Sequence, residues 1–273
     1  MLEIPESNTI AKQINETIKG KIIRFVAANQ TPHKFAWYFG DPEGYNDLLA
    51  GKQIGISKAL GGMIETAVGD CRILISDGAA LSYYEDLTKV PKKHQLYIEF
   101  EDGTALVSVV QMYGGLSAYR EGENHNEYYI AARDKISPLC DAFDFDYFCS
   151  LKSENVLKLS AKAFLATEQR IPGLGNGVLQ DILFTAGIHP KRKITDISDD
   201  EFKNLYNAVK TVLKKMTDNS GRDTEKDLFG RYGGYITMFS KKSLLTPCPV
   251  CGSDKQKGSY MGGTIYYCEH CQS

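Results

Sequence analysis

The stretch IPGLGNGVLQDILFTAGIHP, residues 171–190, decides how the rest of the chain is read. Gly173 and Gly175 flank Leu174, and Asn176 opens a run in which Val178, Leu179, Ile182 and Leu183 keep helical spacing. Glycine supplies the φ freedom for a tight turn, and asparagine is a preferred helix N-cap. The pattern predicts two helices joined by a turn, the second opening at Asn176 and closing at Ala186-Gly187 before Pro190. Unpaired N–H groups at the positive end of a helix would make that turn an anion site. An ordinary helix-loop-helix packed in a core is the competing reading.

At 273 residues the chain is long enough for two or three units with a sizeable core. The net charge of -2 argues against a uniformly basic coat for nucleic acid, but the charge is unevenly placed. Residues 151–273 carry 18 Lys+Arg against 13 Asp+Glu, whereas residues 1–150 carry 14 against 21. The C-terminal half is the part that could meet a polyanion. No basic start is followed by an apolar run, and no eighteen-residue apolar stretch occurs, so neither export nor membrane spanning is expected. Three scattered thiols, Cys71, Cys140 and Cys149, suit a reducing compartment, and a cytoplasmic location is expected.

At the N-terminus, Ile10, Ile14 and Ile18 form a helical stripe that Ser7 could cap and Gly20 ends. Glu3 sits among Leu2, Ile4 and Pro5, where a carboxylate is costly unless it has a partner or a task. A solvated or salt-bridged terminal charge is the plainer alternative. From Lys21 to Tyr119 the pattern turns to short apolar runs, IIRFVAA, KFAWYF, CRILIS, QLYIEF and ALVSVVQMYGGL. Asp41-Pro42-Glu43-Gly44, Ser76-Asp77-Gly78 and Glu101-Asp102-Gly103 are read as the turns between them. This predicts an antiparallel β sandwich or barrel of roughly six to eight strands. Beyond Ser150 the period is helical: Asn155 to Thr167 reads as one helical segment, and Ser198 to Met216 as a capped amphipathic helix.

The last 26 residues hold Cys248-x2-Cys251 and Cys268-x2-Cys271 with sixteen residues between the pairs. That spacing fits two knuckles placing four thiolates on one Zn2+, with two disulfides or unrelated thiols as alternatives. Four cysteine ligands leave no open coordination position, so such a metal is structural, and so short a module depends on it to fold.

Taken together, these stretches resemble the formamidopyrimidine-DNA glycosylase / endonuclease VIII family. The order is M-x-E-x-P-E, a β sandwich, then G-L-G-N with F-T-A-G-I-H-P, then C-x2-C-x16-C-x2-C-Q ending at Gln272, and it spans nearly the whole chain. Gly20-Lys21 and Tyr113-Gly114-x-Leu116, where the family has F-G-x-L, agree with it. The resemblance implies an α+β multidomain protein. Its parts would be an N-terminal glycosylase-like β-sandwich domain over 1–133, a helix-two-turn-helix domain over 151–243 and a C-terminal zinc ribbon over 244–273. It implies duplex DNA with a damaged base across the cleft between lobes, the base turned out of the stack. Gly175 and Asn176 would hold phosphate, and Met112 and Tyr113 would stand where the family fills the gap left by the base. Cys248, Cys251, Cys268 and Cys271 would bind one structural Zn2+. A monomer is expected, associated with the nucleoid in a bacterium.

In the family the amine of an N-terminal proline attacks C1′ and the next glutamate protonates the sugar ring oxygen. Here Leu2 holds the proline position, so any amine comes from Met1, while Glu3 and Glu6 remain. The catalytic candidates are therefore Glu3, Glu6, Met1 and Leu2. The lysine of the family's G-K-Y-L-L strand is expected at Asp70, and the zinc-hairpin arginine at Gly263. Three functions compete: a glycosylase that releases an oxidised or otherwise altered base, with strand cleavage lost or residual; a noncatalytic binder of damaged DNA; and a scaffold turned to another partner.

Overall fold

The computed structural model describes residues 2–273, and Met1, with the amine expected of it, lies outside the described residues. Helix α1 (Ile4–Thr17) opens the chain. It is followed by β1 (Ile23–Ala28), β2 (Ala36–Trp37), the short α2 (Tyr45–Leu49), β3 (Ile54–Leu60), β4 (Met63–Val68), β5 (Cys71–Tyr84), β6 (Leu96–Phe100) and β7 (Ala105–Arg120). The helical part comprises α3 (Glu127–Asp134), α4 (Phe145–Ser150), α5 (Glu154–Leu157), α6 (Ala161–Ala166), α7 (Val178–Thr185) and α8 (Asp199–Asp218). A two-stranded hairpin, β8 (Gln256–Tyr260) and β9 (Gly263–Tyr267), follows.

The sheet runs β1-β6-β7-β5-β4-β3, with β2 attached to β7. Its pairings are antiparallel except that of β2 with β7, which is parallel. Strands β5 and β7 are long enough to serve both halves of the sheet. The first half of β5 pairs with β4 and with the end of β7, and its second half pairs with the start of β7, which also carries β6. Residues of both halves share one apolar core, Ile64, Ile73 and Ile75 from one with Val26, Ile98 and Phe100 from the other. Ser76-Asp77-Gly78, expected as a turn, lies inside β5 at the place where the halves meet. There the register breaks, so that Gly78 faces the three residues Gln111, Met112 and Tyr113. Asp77 takes a left-handed φ of 58°, and a Cβ on Gly78 would stand 2.5 Å from the Tyr113 carbonyl oxygen, so the bulge needs that glycine. The β3–β4 hairpin, which the apolar runs do not reveal, buries Ile64, Thr66 and Val68 in strict alternation.

Helix α1 joins two cores. Ile10, Ile14 and Ile18 pack on the sheet, whereas Ile4 enters the helical core with Phe148, Phe164 and Phe202. Ser7 does not cap it: the N-cap position is Glu3, and the Ser7 hydroxyl donates to the carbonyls of Ile4 and Gly61. Asn155 to Thr167 is two short helices, because Ser160 turns extended and caps α6 through its Oγ, which accepts from Ala163 N–H. Helix α8 carries the expected Ser198 cap as a full capping box with Glu201.

Phe148 is fully buried, stacked on Phe202 at 4.7 Å and edge-on to Phe164 at 5.5 Å. Phe148→Ala is expected to lower stability by about 3–5 kcal/mol in urea unfolding. Leu245→Ala, at a side chain 97% exposed, is expected to change it by less than about 0.5 kcal/mol.

Candidate nucleic-acid cleft and zinc site

The glycine turn does present N–H groups to an anion, but the anion belongs to the chain. Glu3 Oε1 accepts from Gly177 N–H and Oε2 from Val178 N–H, each at 2.8 Å. Asn176 therefore does not cap α7; Gly177 takes the N-cap position and the Glu3 carboxylate satisfies the helix end. Arg222 lies on the other side of Glu3, with Nη1 at 3.5 Å, and it grips Glu6 through Nε at 2.9 Å and Nη2 at 2.8 Å, its backbone N–H adding a third bond. All three side chains are buried. Burial pushes the Glu3 carboxyl above its ordinary range, opposed by the Arg222 charge and the two N–H bonds. Burial also works against the charge of Arg222, but Glu3 and Glu6 outweigh it and keep the guanidinium protonated.

A cavity of about 350 Å³ opens over this cluster, walled by the sheet, the glycine turn and the tip of the β8–β9 hairpin. Leu2, Glu3, Asp77 and Tyr113 line one side, and Gly175, Asn176 and Gly263 the other. Leu2 N–H donates to the Asp77 carbonyl at 2.8 Å, and Ile4 N–H to Gly173 O at 3.1 Å, so the chain start is fastened to both lobes. Burial holds the Asp77 carboxyl above its usual range. The Tyr113 hydroxyl is raised by burial and then by the charges of Asp77 and Glu3. Backbone meets backbone where Gly61-Gly62, the β3–β4 turn, lies on Gly173. A Cβ on Gly173 would be 2.0 Å from Gly62 N, and one on Gly62 would be 2.9 Å from Leu2 O.

Asn176 Nδ2 donates to Thr264 O at 2.9 Å, while its Oδ1 is buried with no partner among the described residues. The N–H groups of Gly175 and Asn176 likewise have no acceptor in the chain among the described residues. Gly263 sits beside them, and a Cβ there would be 3.1 Å from Lys162 Nζ and 3.3 Å from Asn176 Oδ1. Lys162, which the sequence reading passed over, is a buried lysine on α6 whose Nζ donates to Tyr260 O at 2.7 Å, and burial lowers its pKa. Its signal was available: a single lysine inside the otherwise apolar AKAFLA.

The four sulfurs of Cys248, Cys251, Cys268 and Cys271 lie within 4.8 Å of one another, with Cys248–Cys271 at 3.7 Å and Cys251–Cys268 at 3.5 Å. A tetrahedron of Zn–S bonds has edges of about 3.8 Å, and none of these cysteines forms a disulfide, so the set fits one structural Zn2+. The module is docked on both ends of α7. Gln180 accepts from Tyr266 N–H and donates to Thr264 O, and Gln272 accepts from Cys268 N–H while donating to Ile188 O. Asp181 accepts from the N–H groups of Met238 and Phe239 on the segment leading to the module.

Residues 136–226 match the family described as formamidopyrimidine-DNA glycosylase H2TH domain. In this helix-two-turn-helix domain the chain is similar to the formamidopyrimidine-DNA glycosylases. The glycosylase of Bacillus cereus is 25% identical, with 100% of this chain and 99% of that protein covered. The fold is shared with the MutM (Fpg) protein of Thermus thermophilus, at a TM-score of 0.82 and 22% identity, covering 99% of this chain and 98% of that one. It is shared too with Lactococcus lactis Fpg, solved in complex with DNA containing N7-benzyl-Fapy-dG, at a TM-score of 0.82 and 21% identity over 99% of each chain.

Set against the family motifs, the structure moves one position. Asp70 lies on the surface between β4 and β5, bound to Lys52 and Arg120, with Lys52 drawing its carboxyl down to about 2. It does not line the cleft. The strand that enters the cleft from a glycine is Gly61-Gly62-Met63-Ile64, which fits G-K-Y-L with Gly62 in the lysine place. Gly263 lines the cleft. The bulge in β7 turns Met112 out to 67% exposure and brings Tyr113 to the cleft wall. Glu6 faces a second cavity of about 530 Å³, below α1 and beside residues 224–232.

Chelation of the metal, or Cys248→Ser, is expected to free the hairpin from α7, read as lost hydrogen-exchange protection at Tyr266 and Cys268. Metal analysis is expected to give about one zinc per chain. Burial raises Asp181 to about 6 against the pull of Met238 and Phe239 N–H. The native state then binds this proton more tightly than the unfolded chain, so its contribution is present at low pH and lost as pH rises from about 4 to 6. Between pH 4 and 7 the wild type is expected to lose about 2–3 kcal/mol relative to Asp181→Asn in urea unfolding.

Proposed function

We propose that the chain is a DNA-repair protein that holds duplex DNA containing a damaged base across the cleft and hydrolyses the N-glycosidic bond of an oxidised or otherwise altered base. The observation that carries this reading is Glu3: a buried carboxyl fixed at the wall of the cleft, raised above its usual pKa, and aimed from the chain start between the two lobes. A carboxyl with raised pKa can donate its proton to the departing base as the C1′–N bond breaks, and water then attacks C1′ and gives up a proton to the Glu3 carboxylate. Leu2 offers no ring amine, and its N–H is committed to Asp77 O, which favours hydrolysis over Schiff-base strand cleavage. Glu6 supports Glu3 through Arg222.

Phosphate would be taken by the free N–H groups of Gly175 and Asn176, with Lys162 supplying the cation that Gly62 and Gly263 do not. Met112 and Tyr113 would reach the duplex from the sheet side. The zinc site, through its four cysteines, would hold the hairpin tip against Asn176 and takes no part in the reaction. The second reading, a noncatalytic binder of damaged DNA, draws on the double hydrogen bonding of Glu3, which leaves the α7 end dependent on its charge.

Incubation with duplexes carrying oxidised bases or an abasic site, with and without borohydride, separates the readings. Base release without a trapped adduct is expected. An adduct would install an amine as nucleophile, and lesion binding without either product would leave only the binder. Glu3→Gln is expected to slow base release by about 100-fold or more while DNA affinity holds. Lys162→Met is expected to weaken binding to all duplexes alike and to reduce the salt dependence by about one phosphate contact.

A further inference from the structure

Along β5, Cys71, Ile73, Ile75, Ala79 and Leu81 enter the apolar core, and strict alternation would set Asp77 among them. An ionised carboxyl is costly in such a place. Asp77 escapes it through its left-handed φ of 58°, held by the bulge opposite Gln111, Met112 and Tyr113. Its side chain comes instead to the wall between the cleft and a sheet-side cavity of about 540 Å³. Backbone strain of this kind persists only where the surroundings impose it. Ser76 Oγ donates to Oδ2 at 3.0 Å, and no lysine or arginine pairs with the carboxyl among the described residues.

Glu3 and Asp77 are the two acids lining the cleft among the described residues. One residue of chain links them: Leu2 N–H donates to Asp77 O at 2.8 Å, and Glu3 follows Leu2. Tyr113 shares the same wall, and its hydroxyl feels the charge of both. The two carboxyls are equipped differently. Glu3 accepts two backbone N–H bonds and lies against Arg222, so it is fixed in place to carry a proton. Asp77, with one hydroxyl donor, keeps lone pairs for a substrate. Breaking a glycosidic bond leaves positive charge on the sugar carbon and ring oxygen, and glycoside hydrolysis divides its work between two carboxyl groups flanking that bond. We propose that Asp77 is the second catalytic carboxylate, an anion that faces the sugar, steadies the positive charge at C1′ and holds the attacking water. The C1′–N bond breaks with its electron pair going to the base, which takes the Glu3 proton. The water oxygen then bonds C1′ and its proton passes to Glu3, while Asp77 stays ionised and forms no covalent bond. The inference rests on the hydrolytic reading above and adds to it the group that meets the sugar cation.

The test compares two duplexes with an abasic analogue at one position: neutral tetrahydrofuran, and pyrrolidine, whose ring nitrogen is protonated and copies the sugar cation. The wild type is expected to bind the pyrrolidine duplex about tenfold more tightly, and Asp77→Asn to lose that preference while holding the tetrahydrofuran duplex as before. Asparagine accepts the left-handed φ, so the variant keeps the fold. On duplexes carrying 8-oxoguanine or an oxidised pyrimidine, Asp77→Asn is expected to slow base release about 100-fold. Wild-type release is expected to fall at low pH as Asp77 is protonated and at high pH as Glu3 loses its proton, with Tyr113 and Lys162 the other titratable groups at the wall. Asp77→Asn removes the acid limb, and Ser76→Ala, which takes away the one donor, moves it to higher pH. Equal affinity of the wild type for both duplexes, or an unchanged pH profile in Asp77→Asn, would overturn this inference while base release upheld the hydrolytic reading. No base release by the wild type would overturn both.

Discussion

One guanidinium surrounded by two carboxylates governs this molecule. Arg222, Glu3 and Glu6 are removed from water together, and two negative charges against one positive would leave an excess charge in a poor dielectric. The N-terminus of α7 supplies the balance through two aligned N–H groups on Glu3. The backbone of Glu3 starts α1 while its side chain finishes the N-terminal turn of α7, so two helices that begin 174 residues apart share one residue as their common origin. Removing Arg222 leaves two buried carboxylates without their cation, at a cost of about 3–5 kcal/mol, whereas removing Glu3 leaves the N–H groups of Gly177 and Val178 without their acceptor.

The remaining architecture extends from that point. Helix α7 is held by Glu3 at one end and by the zinc module at the other, where Ser273 N–H bonds Gly187 O and His189 N–H bonds Ser273 O. The hairpin tip is thereby kept against Asn176, and the cleft acquires its second wall without a long side chain from the hairpin itself. A metal that does no chemistry still matters to the site, because it sets where Gly263 and Tyr260 stand relative to Lys162.

Features fixed by local chemistry were readable from the residues. The cysteine pairs converge, the isoleucine stripe of α1 is buried, Ser198 caps α8 and Gly187 closes α7 in a left-handed turn. Features decided by distant partners were not. Asn176 has every local qualification as a cap, but a carboxylate from the other end of the chain fills the helix end first. Ser76-Asp77-Gly78 has turn composition, yet the strand pairs on either side of it keep it inside β5 as a bulge. The β3–β4 hairpin hid because polar and apolar residues mix on its outward face, where Ile56, Met63 and Ala67 stand among Lys58 and Glu65, and Ser57 and Thr66 are buried on its inner face. Asp70 follows a glycine as the family's lysine does, but the packing of Gly61-Gly62 on Gly173 puts a different strand at the cleft.

With Gly62 pressed on the carbonyl of Leu2 and on the Cα of Gly173, a side chain cannot be added there without moving the first residues of the chain. Whatever enters the cleft therefore meets bare main chain at that point, and side-chain chemistry is confined to the rim.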